Sequence, residues 1–110
     1  MAVIVAPVQT NDVVQSFTPV TMTASDTMTP KTGTLFVFNS TGATVNLTID
    51  GAGGTTVVTP NAGVVSVASG YAVACLAGRV TKVKLGAISG FLSGAVAVTG
   101  GATGVFAWVE

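Results

Sequence analysis

The sequence contains no histidine and few charged residues of either sign. Four lysines or arginines and four aspartates or glutamates make up 7% of its 110 residues, whereas an ordinary soluble domain carries about 25%. Because charge repulsion helps to keep copies of a protein apart, this composition predicts stable contacts with further copies or with another protein. We therefore expect a component of a larger assembly.

The lack of histidine also removes the side chain that most often moves protons near neutral pH. The acidic side chains are scattered singly along the chain, at Asp12, Asp26, Asp50 and Glu110. Their spacing does not indicate the paired carboxylates of general acid and base chemistry. A serine, threonine or cysteine nucleophile would lack the histidine that usually activates it. The sequence thus predicts that the protein is not an enzyme and has no catalytic residues.

Cofactor and metal motifs are missing as well. The glycine-rich stretch TIDGAGGTTV, residues 48–57, lacks the Lys-Ser/Thr ending of a P-loop and leads into β-branched residues instead of a helix. It therefore predicts a hairpin connection, with Thr55–Thr59 returning along the sheet. With one cysteine, no histidine and isolated acids, we expect neither a zinc nor a calcium site, and no cofactor.

Basic residues are too few for a phosphate-binding surface, since only Lys31, Arg79, Lys82 and Lys84 carry positive charge. We expect no nucleic-acid partner. Lys82 and Lys84 alternate with Val83 and Leu85, which is typical of the polar outer face of a strand. The lone Cys75 alternates with small apolar residues and is expected to be a small core residue.

A run of 25 residues without charge, 85–109, raises the alternative of a small membrane protein. Gly86, Gly90 and Gly94 have the spacing of a transmembrane dimer face. Further glycines at 100, 101 and 104, many β-branched residues and the lack of flanking basic clusters argue against it. We expect no membrane insertion, and the first twelve residues, which lack the pattern of a secretory signal, predict synthesis in the cytoplasm.

Short stretches of β-branched and aromatic residues fill most of the chain. In ATVNLTID, residues 43–50, Val45, Leu47 and Ile49 share one face, which is the clearest two-residue period. Gly33–Asn39 is apolar on both sides, as in a strand buried on two faces, and the turn residues between these runs predict a hairpin. Further strands are expected at residues 55–59, 63–69, 71–76, 79–85, 94–99 and 103–109. The pattern predicts one all-β domain at 31–110, an antiparallel β-sandwich or jelly roll.

Residues 1–30 differ from the rest of the chain. Prolines at 7, 19 and 30 and a threonine-rich stretch predict an extended N-terminal arm. Edge strands of the same sandwich are the alternative for Val13–Met22. Exposed apolar side chains on such an arm would need a partner to cover them. We therefore expect partner contacts at Val3, Ile4, Val5, Val8 and Phe17.

The order of these segments resembles the small all-β head decoration, or capsid cement, proteins of tailed bacteriophages. Two stretches carry the resemblance, KTGTLFVFNSTGATVNLTID from residue 31 and GAVAVTGGATGVFAWV from residue 94. It covers residues 31–109; residues 1–30 have no counterpart, and Ser69–Gly90 is longer than the family pattern. The resemblance implies a virion protein at the capsid surface, often a homotrimer, that binds the major capsid protein. It supplies no catalytic residues.

The leading hypothesis is a head decoration or minor capsid protein that binds the assembled capsid lattice and stabilises the head. Arg79, Lys82 and Lys84 are then candidate partners for acidic capsid loops, together with the arm residues. The alternative is a tail or fibre-tip module that recognises a host surface or glycan, which would need an exposed aromatic platform. Trp108 is the only tryptophan, and its alternation with Phe106 predicts a position in the core or in a subunit interface.

Overall fold

The computed structural model describes residues 2–6, 18–30, 32–51, 56–59, 63–66, 70–92 and 94–110. Within these ranges the chain forms strands and one 3-10 segment, Leu85–Phe91, which is kinked at Ile88. The strands are β1 Val3–Ile4, β2 Val20–Thr21, β3 Ser25–Met28, β4 Thr34–Asn39, β5 Val45–Asp50, β6 Thr56–Thr59, β7 Gly63–Ser66, β8 Tyr71–Cys75, β9 Val80–Lys84, β10 Val96–Thr99 and β11 Val105–Val109.

Nine of the eleven described strands form two sheets that face each other across the core. Sheet A has the order β1-β3-β10-β5-β8 and sheet B the order β2-β11-β4-β9, while β6 and β7 form a separate two-stranded sheet. Neighbouring strands are antiparallel except β1 and β3, which are parallel. Apart from β1 and the β6–β7 ribbon, this is the strand order of a jelly roll. The predicted all-β sandwich is confirmed.

Two predicted hairpins are wrong. β4 and β5 lie in different sheets, so the turn between them carries the chain across the sandwich. In this arrangement the apolar faces of both strands meet in one core. β5 lies between β10 and β8, and β6 pairs with β7, so the glycine-rich stretch does not return the chain beside β5. Residues 52–55 of that stretch are outside the described residues.

Asn39 holds the crossing between β4 and β5. Its side chain is fully buried, and its amide donates hydrogen bonds to the carbonyl oxygens of Ala43 and Cys75, both at 2.8 Å. Its side-chain oxygen accepts hydrogen bonds from the backbone N–H and the hydroxyl of Thr41. A buried polar group is stable only when its hydrogen bonds are made. One side chain thus joins the end of β4, the crossing turn and β8.

The core lies between the two sheets and is almost entirely aliphatic. Leu35, Val37, Leu47, Ile49 and Val98 are among its fully buried members. Leu85 and Ile88 of the 3-10 segment and Leu92, which follows it, are also buried. They extend the core and hold the 3-10 segment against the sandwich. Cys75 is fully buried, as expected for a small core residue, and burial raises the pKa of its thiol.

The uncharged run at residues 85–109 forms the 3-10 segment followed by β10 and β11. In the part of the chain that the structure describes, no helix has the length and apolar character needed to cross a membrane. The glycines in this run separate short elements, as at Gly100, whose φ of +90° favours glycine. A side chain there would also collide with the carbonyl oxygen of Asn46.

The described parts of residues 1–30 differ from the predicted extended arm. They supply β1 and β3 to sheet A and β2 to sheet B. β2, Val20–Thr21, is an edge strand, in agreement with the alternative for that segment, but β3 lies inside sheet A between β1 and β10. Alternation along β1 turns Ile4 into the core, where it is fully buried. These described parts therefore belong to the sandwich, and Ile4 fills part of its core.

Asp26 fixes this segment to the sheet. Its buried carboxylate accepts hydrogen bonds from the backbone N–H of Ala2 at 2.9 Å and of Thr23 at 2.8 Å, and from the Thr23 hydroxyl. Burial raises the pKa of Asp26, but the hydrogen bonds from Thr23 and Ala2 outweigh it, and the net pKa lies below its ordinary value. The ionised carboxylate is thus part of the folded structure.

Candidate docking surface

The outer side of sheet B carries aromatic rings. Along β4 and β11 every second residue is buried, and the residues between them are only half-buried. These half-buried residues include Phe36, Phe38, Phe106 and Trp108, which we call the aromatic face. The sequence predicts that β4 is buried on both sides, and this is wrong. Only one side of β4 faces the core.

The rings of the aromatic face are paired across the two strands. Phe36 is opposite Trp108, and Phe38 is opposite Phe106. The Phe36 and Trp108 rings are 5.3 Å apart between centroids with planes 5° apart, and the Phe38 and Phe106 rings are 6.4 Å apart with planes 20° apart. Both are stacked arrangements within the favoured range for aromatic pairs. The sequence prediction that Trp108 lies in the core is wrong, and its place in a subunit interface stays a prediction.

Strand β9 borders the aromatic face on one side. Val80 is opposite Phe38, Lys82 is opposite Phe36, and Lys84 follows two residues further along. Val80 is 52% exposed, and both lysines are exposed. The surface is therefore apolar at its centre and positively charged along one edge.

Strand β2 borders the face on the other side, where Thr21 is opposite Phe106. A shallow depression crosses the surface from strand β9 to the residue before β2. Its lining is entirely apolar and consists of Pro19, Phe38, Val80, Phe106 and Trp108. Glu110 follows β11 at the end of the face, and its backbone exchanges two hydrogen bonds with Thr34.

The outer side of sheet A has a different chemistry. Its outward residues are mostly small or polar: Ser25, Thr27, Asn46, Thr48, Ala72, Ala74, Ala97 and Thr99, with the exposed Val3 of β1 at the edge. Asp50 is exposed on the same side. Since hydroxyl and amide groups are well hydrated, this side is suited to water, whereas the aromatic face is suited to burial.

The structure does not bring all the predicted partner-binding residues together. Lys82 and Lys84 border the aromatic face, and the exposed Arg79 lies in the turn before β9. Val3 and Val5 are 47% and 44% exposed. Val3 lies on the outer side of sheet A, opposite Thr27, whereas the carbonyl oxygen of Val5 accepts a hydrogen bond from the backbone N–H of Val109 in β11. Ile4 is fully buried, so its predicted role as a partner contact is corrected to a core residue. Val8 and Phe17 are outside the described residues.

Sequence reasoning missed Phe36, Phe38 and Phe106 as surface residues. The alternation of β4 gives the signal, because Leu35, Val37 and the buried Asn39 share one side and the phenylalanines share the other. Both sides are apolar, however, so the period alone does not decide which one faces the core. Only the pairing with β11 places all four rings on one surface.

Among the described residues, no three histidine, cysteine or acidic side chains come close enough to hold a metal ion. The Cys75 thiol is buried and its pKa is raised, which lowers its reactivity. What the aromatic face can do is bind another surface by apolar contact.

Comparison of the chain with protein-family models, with curated proteins and with solved structures finds no match. The jelly roll is shared by viral capsid proteins, lectins and cupins, so the fold alone does not select a function.

Proposed function

We propose that this protein is a structural protein of a tailed-phage virion, a head decoration or minor capsid protein that binds the assembled capsid lattice. The observation that carries the proposal is the aromatic face, a cluster of paired, half-buried rings on the outer side of sheet B with lysines along one edge. Exposed apolar surfaces of this kind mark sites of association. The low charge of the chain and its resemblance to phage cement proteins support the same assignment.

The contrast between the two outer sides supports attachment in one orientation. The aromatic face would contact the major capsid protein, and the small polar side of sheet A would remain in water. Lys82 and Lys84 would face acidic groups on the capsid, with Arg79 near the same edge. Such rim charges contribute more to the rate and orientation of docking than to its affinity.

Stabilisation of the head follows from selective binding. A ligand that binds only the assembled lattice stabilises it by RT ln(1 + [L]/Kd), which is about 2.7 kcal/mol when the free ligand exceeds Kd a hundredfold. Repeated over many lattice sites, a modest affinity is sufficient. The resemblance adds the expectation of a trimer in the bound state.

A glycan-binding tail or fibre-tip module is the second candidate, favoured by the exposure of the four rings. Sugar platforms present an open ring face to the ligand. Here Phe36 and Trp108 are nearly parallel at 5.3 Å, so one face of each ring is covered by the other ring. This arrangement is better suited to an apolar protein surface than to a flat sugar.

Co-sedimentation with assembled capsids tests the proposal. The Trp108→Thr variant removes the largest ring of the aromatic face and keeps a residue that is favoured in strands. We expect it to fold and to bind empty capsids at least tenfold more weakly than the wild-type protein, because central aromatic residues dominate interface energies.

A matched control removes an exposed apolar group from the outer side of sheet A, where Val3 is opposite Thr27. The Val3→Thr variant should bind capsids as the wild-type protein does. Loss of binding in this variant alone would place the contact at β1. Saturable binding of the wild-type protein to host cells, without binding to capsids, would favour the glycan-binding candidate.

A further inference from the structure

We infer that, in solution, the aromatic face is covered by the aromatic face of a second copy of this chain, related by a two-fold axis nearly parallel to the strands of sheet B. The inference does not depend on the virion assignment. It rests on the order of side chains across sheet B, on their charges and on the size of the surface.

Strand pairing arranges the outer side of sheet B in rows. One row crosses the sheet as Thr21, Phe106, Phe38 and Val80. The next contains Trp108, Phe36 and Lys82, and the last contains Glu110, Thr34 and Lys84. A two-fold axis that runs along the strands and passes between β11 and β4 places β11 of one copy over β4 of the other, with each row over the same row of the second copy. Trp108 then lies over Phe36 of that copy, and Phe106 lies over Phe38.

The charged residues select this axis. It brings Lys84 beside Glu110 of the second copy, and the same contact is repeated by symmetry. Alternation along β11 puts Glu110 on the side that carries Trp108, and both Glu110 and Lys84 are exposed. A two-fold axis across the strands through the Trp108 row would instead place Lys82 against Lys82, and like charges in contact oppose association.

The aromatic face is small, which sets the strength of the contact. Four strands at about 4.8 Å spacing and five residues at about 3.4 Å rise give roughly 19 by 17 Å. Two such faces bury on the order of 650 Å² in total, which is well below the roughly 1,200–2,000 Å² of stable specific interfaces. We therefore expect a reversible dimer whose population depends on concentration. Packing of two sheets in alignment, about 30° apart, is a common arrangement.

Sedimentation equilibrium from about 1 μM to about 1 mM tests the dimer. The wild-type protein should pass from monomer to dimer, and the emission of Trp108, the only tryptophan, should shift to shorter wavelength over the same range. The Trp108→Thr variant should stay monomeric in the sedimentation experiment. A monomer at all concentrations, or a trimer, would overturn the inference.

Charge reversal tests the axis. Lys84→Glu and Glu110→Lys should each weaken dimerisation roughly tenfold, because two contacts change from attraction to repulsion. The double variant restores opposite charges and should recover the wild-type dimerisation constant to within about threefold. Circular dichroism of each variant checks that the fold is kept. Additive losses in the double variant would show that these residues do not meet, and would overturn the axis.

Discussion

Among the described acidic residues, Asp26 is the one whose side chain is buried. Its carboxylate accepts hydrogen bonds that hold the backbone at Ala2 and Thr23, and it lies in the core-facing register of β3 next to Met28. Asn39 has the same function at the end of β4, where it joins the crossing turn to β8. Two buried polar side chains thus fix the places where the chain enters or changes sheets.

Replacing Asp26 by asparagine should lower the free energy of unfolding at pH 7 by on the order of 2–3 kcal/mol, because an amide NH₂ cannot accept the bonds that the carboxylate accepts. The pKa of Asp26 is lowered on folding. Its contribution is therefore present above the unfolded pKa, about 3.9, and is lost as the pH falls through the folded pKa. Urea unfolding at several pH values measures this.

The difference in stability between wild-type protein and Asp26→Asn should accordingly be constant at neutral pH and shrink below about pH 4. A difference that is independent of pH down to pH 2 would show that the charge of Asp26 does not stabilise the fold.

At the scale of elements, β1 shows how an apparent arm becomes part of the sandwich. The strand is two residues long, but it pairs with β3, and Ile4 is fully buried. The backbone N–H of Val109 also donates to the carbonyl oxygen of Val5, so the segment after β1 contacts sheet B. β1 therefore bridges both sheets at their edge.

Truncating Ile4 to alanine should cost about 2–5 kcal/mol of unfolding free energy, as for other buried aliphatic side chains. Val3→Ala is the control in the same strand: its side chain is exposed, and its loss should cost less than about 1 kcal/mol. Chemical denaturation of both variants gives the comparison. Equal small losses would mean that β1 does not pack on the core and would restore the extended arm.

The sequence predicts the strands far better than it predicts their partners. The alternation in β5, and the turn residues between most strands, locate the elements because both are local properties. The same turn chemistry starts a hairpin or a crossing between sheets, so the pairing of β4 with β11 and β9 does not follow from it. The aromatic face forms only when β4 pairs with β11, so the sequence alone does not predict that its four rings share one surface.

At the scale of the whole molecule, the two outer sides of the sandwich differ in surface chemistry. Sheet A exposes small polar groups, and sheet B exposes paired rings bordered by lysines. We propose that this surface binds a second copy of the chain in solution and the capsid in the virion. Because both would occupy the same rings, a paired copy must dissociate before it docks on a capsid.

Hydroxyl-radical footprinting of the protein, free at monomeric concentration and bound to assembled capsids, tests the proposed docking most directly. Oxidation of Trp108 and Phe106 should fall at least fivefold on binding, while that of Val3, on the outer side of sheet A and 47% exposed, should stay unchanged. Capsid-bound protein in which Trp108 is oxidised as rapidly as in the free monomer would contradict the assignment of the aromatic face as the docking surface.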